Sequence, residues 1–182
     1  MEWLSVRKRA ADLARLRAIV EPSDGLRLLD VGGGAGSATE RVARGCEEIV
    51  VLEPNARKIV LGRRRRPGIR FEHGGGEAIP FPEGSFDRVL ALVSLHHMSD
   101  PRKALEEMHR VLRPGGRVAL LELPPSKKPG RVFRWFAGLH HGSPVEFLEP
   151  DELRRRLEAA GFHDVSVESG TRCYIVTATK VS

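Results

Sequence analysis

Residues Leu28–Thr39 read LLDVGGGAGSAT, and they carry the strongest structural signal in the chain. The first four are apolar apart from Asp30, which is typical of a short buried strand. Glycine then recurs at every second position, at Gly32, Gly34 and Gly36, before a helical pattern begins. Alternating glycines let the main chain approach a ligand closely and adopt φ angles that other residues avoid. The stretch therefore predicts a strand, a ligand-binding turn and a helix at the carboxyl edge of a parallel sheet.

The next apolar run along the chain, Glu48–Leu52, is followed by Glu53. A carboxylate at the end of a second parallel strand can accept hydrogen bonds from both ribose hydroxyls of an adenosine. The dinucleotide fingerprint G-x-G-x-x-G fits poorly, because Ser37 and Thr39 stand where its third glycine would be. The pattern is instead D-x-G-x-G-x-G. We predict a site for an adenosyl group between this turn and Glu53.

The composition fits one globular domain over residues 1–182, with a single sizeable core. No apolar segment approaches the length that spans a bilayer, and no signal peptide opens the chain, so no membrane partner is predicted. Cys46 and Cys173 are too few and too far apart for a disulfide framework or a metal knuckle. We therefore predict no metal site and a cytoplasmic location.

The chain carries a formal net charge of +6, which would admit a nucleic-acid partner. Its basic residues are spread along the sequence, however, and do not form one patch, so nucleic-acid binding is disfavoured. The exception is the run Arg63–Arg66, whose like charges must be solvated or meet an anion. It is either a solvated helix end or a contact for a phosphate-bearing acceptor. The sequence does not indicate an oligomeric state.

Helical and strand patterns alternate along the chain, as a mostly parallel sheet with crossover helices requires. Residues 1–24 predict an amphipathic N-terminal helix, which leads into the glycine turn. The elements predicted after it are a helix over 37–44, a strand over 48–52, a helix over 55–61, strands over 69–72 and 85–93, a helix over 101–112, a strand over 117–123, a helix over 149–160, and strands over 163–168 and 172–180.

Five short motifs follow one another through the middle of the chain: Ile79-Pro80-Phe81, Ser85-Phe86-Asp87, Leu95-His96-His97, Asp100-Pro101 and Arg110–Gly116. With the glycine turn, they resemble the class I S-adenosylmethionine-dependent methyltransferases, and in particular the small-molecule enzymes similar to the ubiquinone/menaquinone biosynthesis C-methyltransferases. The resemblance covers residues 26–123 and, more weakly, the C-terminus. It implies an α/β fold, a Rossmann-like three-layer sandwich whose seven-stranded, mostly parallel sheet ends in a C-terminal antiparallel hairpin.

The resemblance also implies a cofactor, S-adenosyl-L-methionine, and methyl transfer from it to a small-molecule acceptor. The residues that it assigns to the cofactor are Asp30, Gly32, Gly33, Gly34, Glu53, Pro54, Gly75, Gly76, Glu77 and Ser94. The chain departs from the family at Gly75, where an aspartate usually accepts the adenine amino group. Main-chain groups of the loop or the Glu77 carboxylate would have to replace it. Losing one such hydrogen bond costs on the order of 1 kcal/mol.

His96 and His97 follow the fourth predicted strand and are the candidate catalytic residues. Either could act as a general base, because histidine titrates near neutral pH. The alternative is that they bond the main chain and shape the pocket. Residues 124–149 are predicted to be a substrate-lid insertion, since their aromatic cluster would cover an apolar acceptor. Packing of that cluster against the sheet is an equal alternative.

Three functions therefore stay open. The favoured one is a methyltransferase for a small molecule, in which the activated donor carries the difficult chemistry and the protein mainly aligns the reactants. The second is a non-catalytic S-adenosylmethionine-binding or regulatory protein, which the missing acid at Gly75 would suit. RNA or protein methylation is a weaker third, motivated by the net positive charge and the run Arg63–Arg66. No Asn-Pro-Pro-Tyr-like motif follows the fourth strand, which disfavours N-methylation of a base. The acceptor, its reacting atom and the need for a base are not determined.

Overall fold

The structure is a computed structural model that describes residues 10–125, 147–170 and 173–181. Its sheet has seven strands in the order β3-β2-β1-β4-β5-β7-β6. The strands are β1 (Arg27–Val31), β2 (Glu48–Glu53), β3 (Arg70–His73), β4 (Phe86–Leu92), β5 (Leu112–Glu122), β6 (His163–Ser169) and β7 (Tyr174–Thr179). The first five pair in parallel, whereas β7 runs antiparallel to both β5 and β6. The predicted α/β fold with its C-terminal antiparallel hairpin is confirmed.

The helices within the described ranges are α1 (Ala10–Val20), α2 (Ser37–Ala43), α3 (Ala56–Arg65), α4 (Pro101–Val111) and α5 (Pro150–Ala159), with a 3₁₀ turn at Leu95–His97 between β4 and α4. No helix in these ranges is long and apolar enough to cross a membrane. The predicted lid over 124–149 falls mostly on residues 126–146, which lie outside the described residues, so its role stays a prediction.

Side chains of the strands point alternately into two helix layers, as the pleat of a strand requires. Leu29 packs on one face of the sheet with side chains of α4, such as Met108, and with α5. Its neighbour Leu28 packs on the other face with Leu16 of α1 and Val42 of α2. The sheet is therefore covered on both faces, which explains why its central strands are almost continuously apolar.

Helix α1 is tied to α2 by a side chain that caps the end of α2. The Arg17 guanidinium donates to the carbonyl oxygens of Val42 and Arg44, over 3.1 and 2.7 Å. The last carbonyls of a helix have no partner within the helix, and they carry the negative end of its dipole. A cation from α1 satisfies both needs, so the N-terminal helix closes the first βαβ unit.

The helix predicted to end at Leu61 is one turn longer than expected. It continues through Gly62 to Arg65, and Gly62 is buried inside it. A Cβ on Gly62 would come within 2.4 Å of the Phe71 ring on β3. The glycine therefore serves close helix–strand packing and does not end the helix.

Two arginines of this run, Arg63 and Arg66, donate hydrogen bonds within the protein, whereas Arg64 and Arg65 are exposed. The Arg63 guanidinium donates to the Phe71 carbonyl oxygen over 2.6 Å. Arg66 donates to the Ala35 carbonyl oxygen over 2.8 Å and lies 3.2 Å from the Glu40 carboxylate. The run therefore ties the end of α3 to β3 and to the glycine turn, which a sequence reading of four like charges does not reveal.

Strand β5 begins five residues before the predicted start, at Leu112 in place of Arg117. Pro114, Gly115 and Gly116, which lie between the predicted helix and the predicted strand, belong to the strand because they pair with the end of the hairpin. The Gly115 N–H donates to the Lys180 carbonyl over 2.7 Å, and the Lys180 N–H donates to the Gly116 carbonyl over 2.9 Å. The pairing with β4 accordingly shifts register at this point.

Candidate functional site

A cavity of about 900 Å³ lies at the carboxyl edge of the sheet, where β1, β2, β3 and β4 end. A volume of this size suits a small ligand or cofactor. Eight of the predicted site residues line it: Gly32, Glu53, Pro54, Gly75, Gly76, Glu77, Ser94 and His97. The lining also contains residues that the sequence reading did not assign to a site: Asn55, Ala56, Arg57, Lys58, Gly74, Val93, Met98 and Ser99.

The glycine turn presents bare main chain to this cavity. Gly32 has a φ of +76°, in the region that favours glycine, and a Cβ there would lie 2.7 Å from the Cβ of Ser94. The Ser94 hydroxyl donates to the Val31 carbonyl oxygen over 2.7 Å. The turn after β1 and the turn after β4 are thus locked together, with no side chain at position 32 to fill the space between them.

Glu53 is held at the cavity by peptide N–H groups. It is 2% exposed. Its Oε2 accepts from the Gly34 N–H over 2.9 Å, and its Oε1 accepts from the Asn55 N–H over 3.0 Å, with the Lys58 ammonium 3.5 Å away. Each carboxylate oxygen can accept more than one hydrogen bond. The carboxylate is therefore fixed in orientation and retains capacity for hydroxyl donors in the cavity, as predicted for a ribose.

Asp30 lies beneath the turn and does not line the cavity. It is fully buried, and the Thr39 hydroxyl donates to its Oδ2 over 2.5 Å. Burial raises the pKa of this carboxyl from 3.8 to about 7; the Thr39 hydrogen bond opposes the rise and the nearby Glu53 charge adds to it. Among the described residues, no partner bonds its Oδ1. Its predicted contact with the cofactor stays a prediction.

Gly33 and Gly34, the other two glycines of the turn that were predicted as site residues, have structural contacts of their own. A Cβ on Gly33 would lie 2.6 Å from the Oδ2 of Asp30, so only glycine lets the turn sit directly on that carboxyl. Gly34 contributes its N–H to Glu53. Neither lines the cavity, and their predicted contact with the cofactor also stays a prediction.

The loop expected to address the adenine is anchored through Glu77. The Oε1 of Glu77 accepts from the N–H and the hydroxyl of Ser99, over 2.7 and 2.8 Å. Burial opposes ionisation of this carboxyl, but the hydrogen bonds from Ser99 outweigh it, so the pKa of Glu77 is lowered. A Cβ on Gly75 would lie 2.9 Å from the other oxygen, Oε2. A carboxylate thus stands beside the position where the family's aspartate is missing.

The two candidate catalytic histidines have different environments. His97 lines the cavity, whereas His96 is 7% exposed and its Nδ1 lies 2.8 Å from the Oε2 of Glu122. Glu122 ends β5 and was not predicted as a site residue. The signal that identified Glu53, an acid at the end of an apolar strand, would have found it. The ring of His96 also stacks on Phe147, with centroids 4.7 Å apart.

Val93, directly after β4, has a backbone conformation that is unusual for its residue type. Its φ is +57°, a region that β-branched residues rarely occupy. Its N–H donates to the Leu121 carbonyl over 2.7 Å, and the residue lines the cavity. Strained backbone of this kind clusters at ligand sites. No sequence pattern marks it.

Residues 29–120 match the family model described as a methyltransferase domain. A demethylmenaquinone methyltransferase of Renibacterium salmoninarum is 40% identical over 98 residues, which are 54% of this chain and 41% of that protein. A demethylmenaquinone methyltransferase of Thermus thermophilus is 32% identical over 183 residues, covering 86% of this chain and 80% of that protein. The chain thus spans less than half of the first relative's length but most of the second's.

The fold is shared with solved structures of low sequence identity. An S-adenosylmethionine-dependent methyltransferase from Mesorhizobium loti superposes with a TM-score of 0.75 at 21% identity, over 91% of this chain and 96% of that one. This likeness bears on the fold alone. Because the family model matches half of the chain and the Thermus relative is matched over most of its length, the chain belongs to the methyltransferase-domain family, among the class I S-adenosylmethionine-dependent methyltransferases.

Proposed function

We propose that this chain transfers the methyl group of S-adenosyl-L-methionine to a small-molecule acceptor. The observation that carries the proposal is the Glu53 carboxylate, fixed by the Gly34 N–H at a cavity whose floor is bare main chain. The residues present fit this cofactor, because glycine at positions 32 and 76 keeps the cavity open. A side chain at Gly32 would collide with Ser94, and one at Gly76 would collide with Met98. This arrangement suits an adenosine with two vicinal hydroxyls.

The cofactor would supply a methyl group that is already activated on a sulfonium. The residues that would hold it are Glu53 at the ribose, Gly75 and Glu77 at the adenine, and the main chain around Gly32 at the methionine end. The chain's own task is then alignment and exclusion of water. The turn at Ser94 would face the methionine end, because it is locked to the glycine turn.

We infer that the acceptor is an apolar aromatic compound with ring hydroxyls, such as a reduced quinone. Two relatives named above are demethylmenaquinone methyltransferases, and this name motivates the inference. We further infer a cytoplasmic location, because Cys46 and Cys173 are too few and too far apart in the sequence for a disulfide framework, which suits a reducing compartment.

Calorimetry tests the cofactor site. We expect the protein to bind S-adenosylmethionine and its demethylated product, and Glu53→Ala to weaken both by at least about tenfold, because charge-assisted hydrogen bonds to two hydroxyls are lost. Glu48→Ala is the matched control, since Glu48 lies at the opposite end of the same strand and pairs with Arg27 and Arg70 at the surface. Equal affinity of Glu53→Ala and the wild type would refute the proposed site.

Transfer of a labelled methyl group tests the activity. We expect label in 1,4-dihydroxynaphthalene, or in a small molecule of a metabolite extract, with no change after nuclease treatment. Binding of the cofactor without transfer to any compound would instead favour a non-catalytic binding protein. Label that disappears on nuclease treatment would favour RNA methylation.

A further inference from the structure

A buried histidine–carboxylate pair stands beside the cavity, at adjacent strand ends. The His96 Nδ1 lies 2.8 Å from the Oε2 of Glu122, and the other oxygen, Oε1, accepts from the Leu95 N–H over 2.9 Å. Both side chains are nearly inaccessible, at 6% and 5% exposure. A carboxylate held by a peptide N–H on one oxygen is itself oriented, so it fixes the imidazole that bonds to the other oxygen.

This arrangement selects one tautomer of the histidine. An ionised carboxylate can only accept hydrogen bonds, so the Nδ1 of His96 carries the proton that joins it to Glu122. The Nε2 then holds a lone pair on the side of the ring away from Glu122. Among the described residues, the structure shows no hydrogen bond to this Nε2. The same logic orients the bases of catalytic triads, where a carboxylate holds an imidazole by its Nδ1.

The pair lies at the turn after β4, next to residues that line the cavity. The residues on either side of the 3₁₀ turn, Ser94 and His97, line the cavity. Among the described residues, the titratable side chains near the pair include His97 and Tyr174, and Tyr174 lies opposite Glu122 in the sheet. Its hydroxyl donates to the Leu148 carbonyl oxygen over 2.8 Å, so its proton is engaged away from the pair.

We propose that Glu122 is a positioning residue that holds His96 with its Nε2 unprotonated, so that His96 accepts the proton of a hydroxyl-bearing methyl acceptor. The proposal rests on the proposed function and adds to it an acceptor class and a base. It assigns unequal roles to the adjacent histidines: His96 takes the proton, while His97 forms part of the cavity wall.

The proposed step balances in atoms and charge. The acceptor oxygen, or the ring carbon beside it, forms a bond to the methyl carbon as the bond from that carbon to sulfur breaks, and the electron pair of the broken bond stays on sulfur. One proton leaves the acceptor in total, and it goes to the Nε2 of His96. The positive charge of the sulfonium is thereby replaced by that of an imidazolium, which Glu122 stabilises through Nδ1. The imidazolium later releases the proton to solvent.

The tautomer can be measured without any acceptor, by two-bond ¹H–¹⁵N correlation spectra of protein labelled at histidine. At about pH 8, above the usual titration range of imidazole, we expect the wild type to show a protonated Nδ1 and an unprotonated Nε2 on His96. Glu122→Gln keeps an acceptor for the Leu95 N–H and presents an amide N–H to Nδ1, so the tautomer should invert. Glu158→Gln removes an exposed carboxylate of α5 that does not line the cavity, and it should leave the spectrum unchanged.

The kinetic test uses 1,4-dihydroxynaphthalene and the same variants. We expect Glu122→Gln to lower kcat by at least about tenfold, towards the ~10²–10⁴-fold typical of a lost base, with little change in KM. Glu158→Gln should keep the wild-type kcat. Affinity for S-adenosylhomocysteine, measured in parallel, should be the same in all three proteins and shows that each is folded.

The outcomes separate the two proposals. Absence of S-adenosylhomocysteine binding in the wild type would refute the proposed function, whatever the tautomer. A protonated Nε2 in the wild type, or an unchanged kcat in Glu122→Gln, would overturn the role of the pair and leave the methyltransferase proposal intact. Binding without methylation of any hydroxyl-bearing compound would also overturn His96 as the base.

Discussion

Asp30→Asn should remove a cost of folding that grows with pH. Asp30 has a pKa of about 7 in the folded protein, against 3.8 as its ordinary value, because it is fully buried. An acid whose pKa is raised by folding binds its proton more tightly in the native state. Stability is therefore highest below about pH 4 and falls as the pH rises towards 7, where the buried carboxyl must ionise. Asparagine cannot ionise, so the variant escapes this loss.

The size of the effect follows from the two pKa values. A difference of this size corresponds to roughly 4 kcal/mol above pH 8, of which about 3 kcal/mol is lost between pH 5 and pH 8. We expect urea unfolding at 25 °C to give a stability difference between Asp30→Asn and the wild type that grows by about this amount over the same range. The amide leaves one donor unsatisfied, which shifts the difference by a constant at every pH. The informative quantity is therefore the change of this stability difference with pH.

Groups that titrate elsewhere in the protein cancel when the two pH profiles are subtracted. Asp24→Asn removes the same charge from an exposed position before β1 and serves as the control. A difference between Asp30→Asn and the wild type that stays constant from pH 5 to pH 8 would refute the reasoning. It would mean that the buried carboxyl finds a compensating partner in the native state.

Three further substitutions test the packing by urea unfolding. Gly62→Ala should destabilise by about 1–3 kcal/mol although alanine favours helices, because its Cβ would meet Phe71 at 2.4 Å; stabilisation would contradict this. Tyr174→Phe should cost about 1–2 kcal/mol, since the buried Leu148 carbonyl loses its donor; no loss would mean that water replaces it. Leu157→Ala should lower the free energy of unfolding by about 2–5 kcal/mol, because it leaves an empty space in the core. A smaller loss would mean that α5 shifts to fill the space left by the leucine side chain.

The strand, turn and helix around Gly32 could be predicted because their signals are local. A φ angle, a run of apolar residues and a glycine spacing are properties of a few consecutive residues, and the family motifs are similarly short. Glu53 was found for the same reason, since an acid at the end of a buried strand faces the edge where parallel sheets bind ligands. These features were enough to predict the sheet, its antiparallel hairpin and half of the residues that line the cavity.

Side chains far apart in the chain meet through the order of the strands, and this information is not local. Glu122 and His96 are 26 positions apart and meet because β5 lies beside β4. Gly62 was read as a helix end, since its contact with Phe71 requires α3 to lie against β3. A sequence pattern gives the chemistry of each residue but not its distance from the others.

Depth below the surface is the other quantity that sequence patterns leave open. Asp30 and Glu53 both look like acids at strand ends, yet one is sealed under the glycine turn with a raised pKa and the other lines the cavity. The motifs are sufficient for the family and for half of the residues that line the cavity. Whether a carboxyl is ionised, and which of two adjacent histidines bonds to Glu122, depends on desolvation and hydrogen bonding, and these arise when the layers pack together.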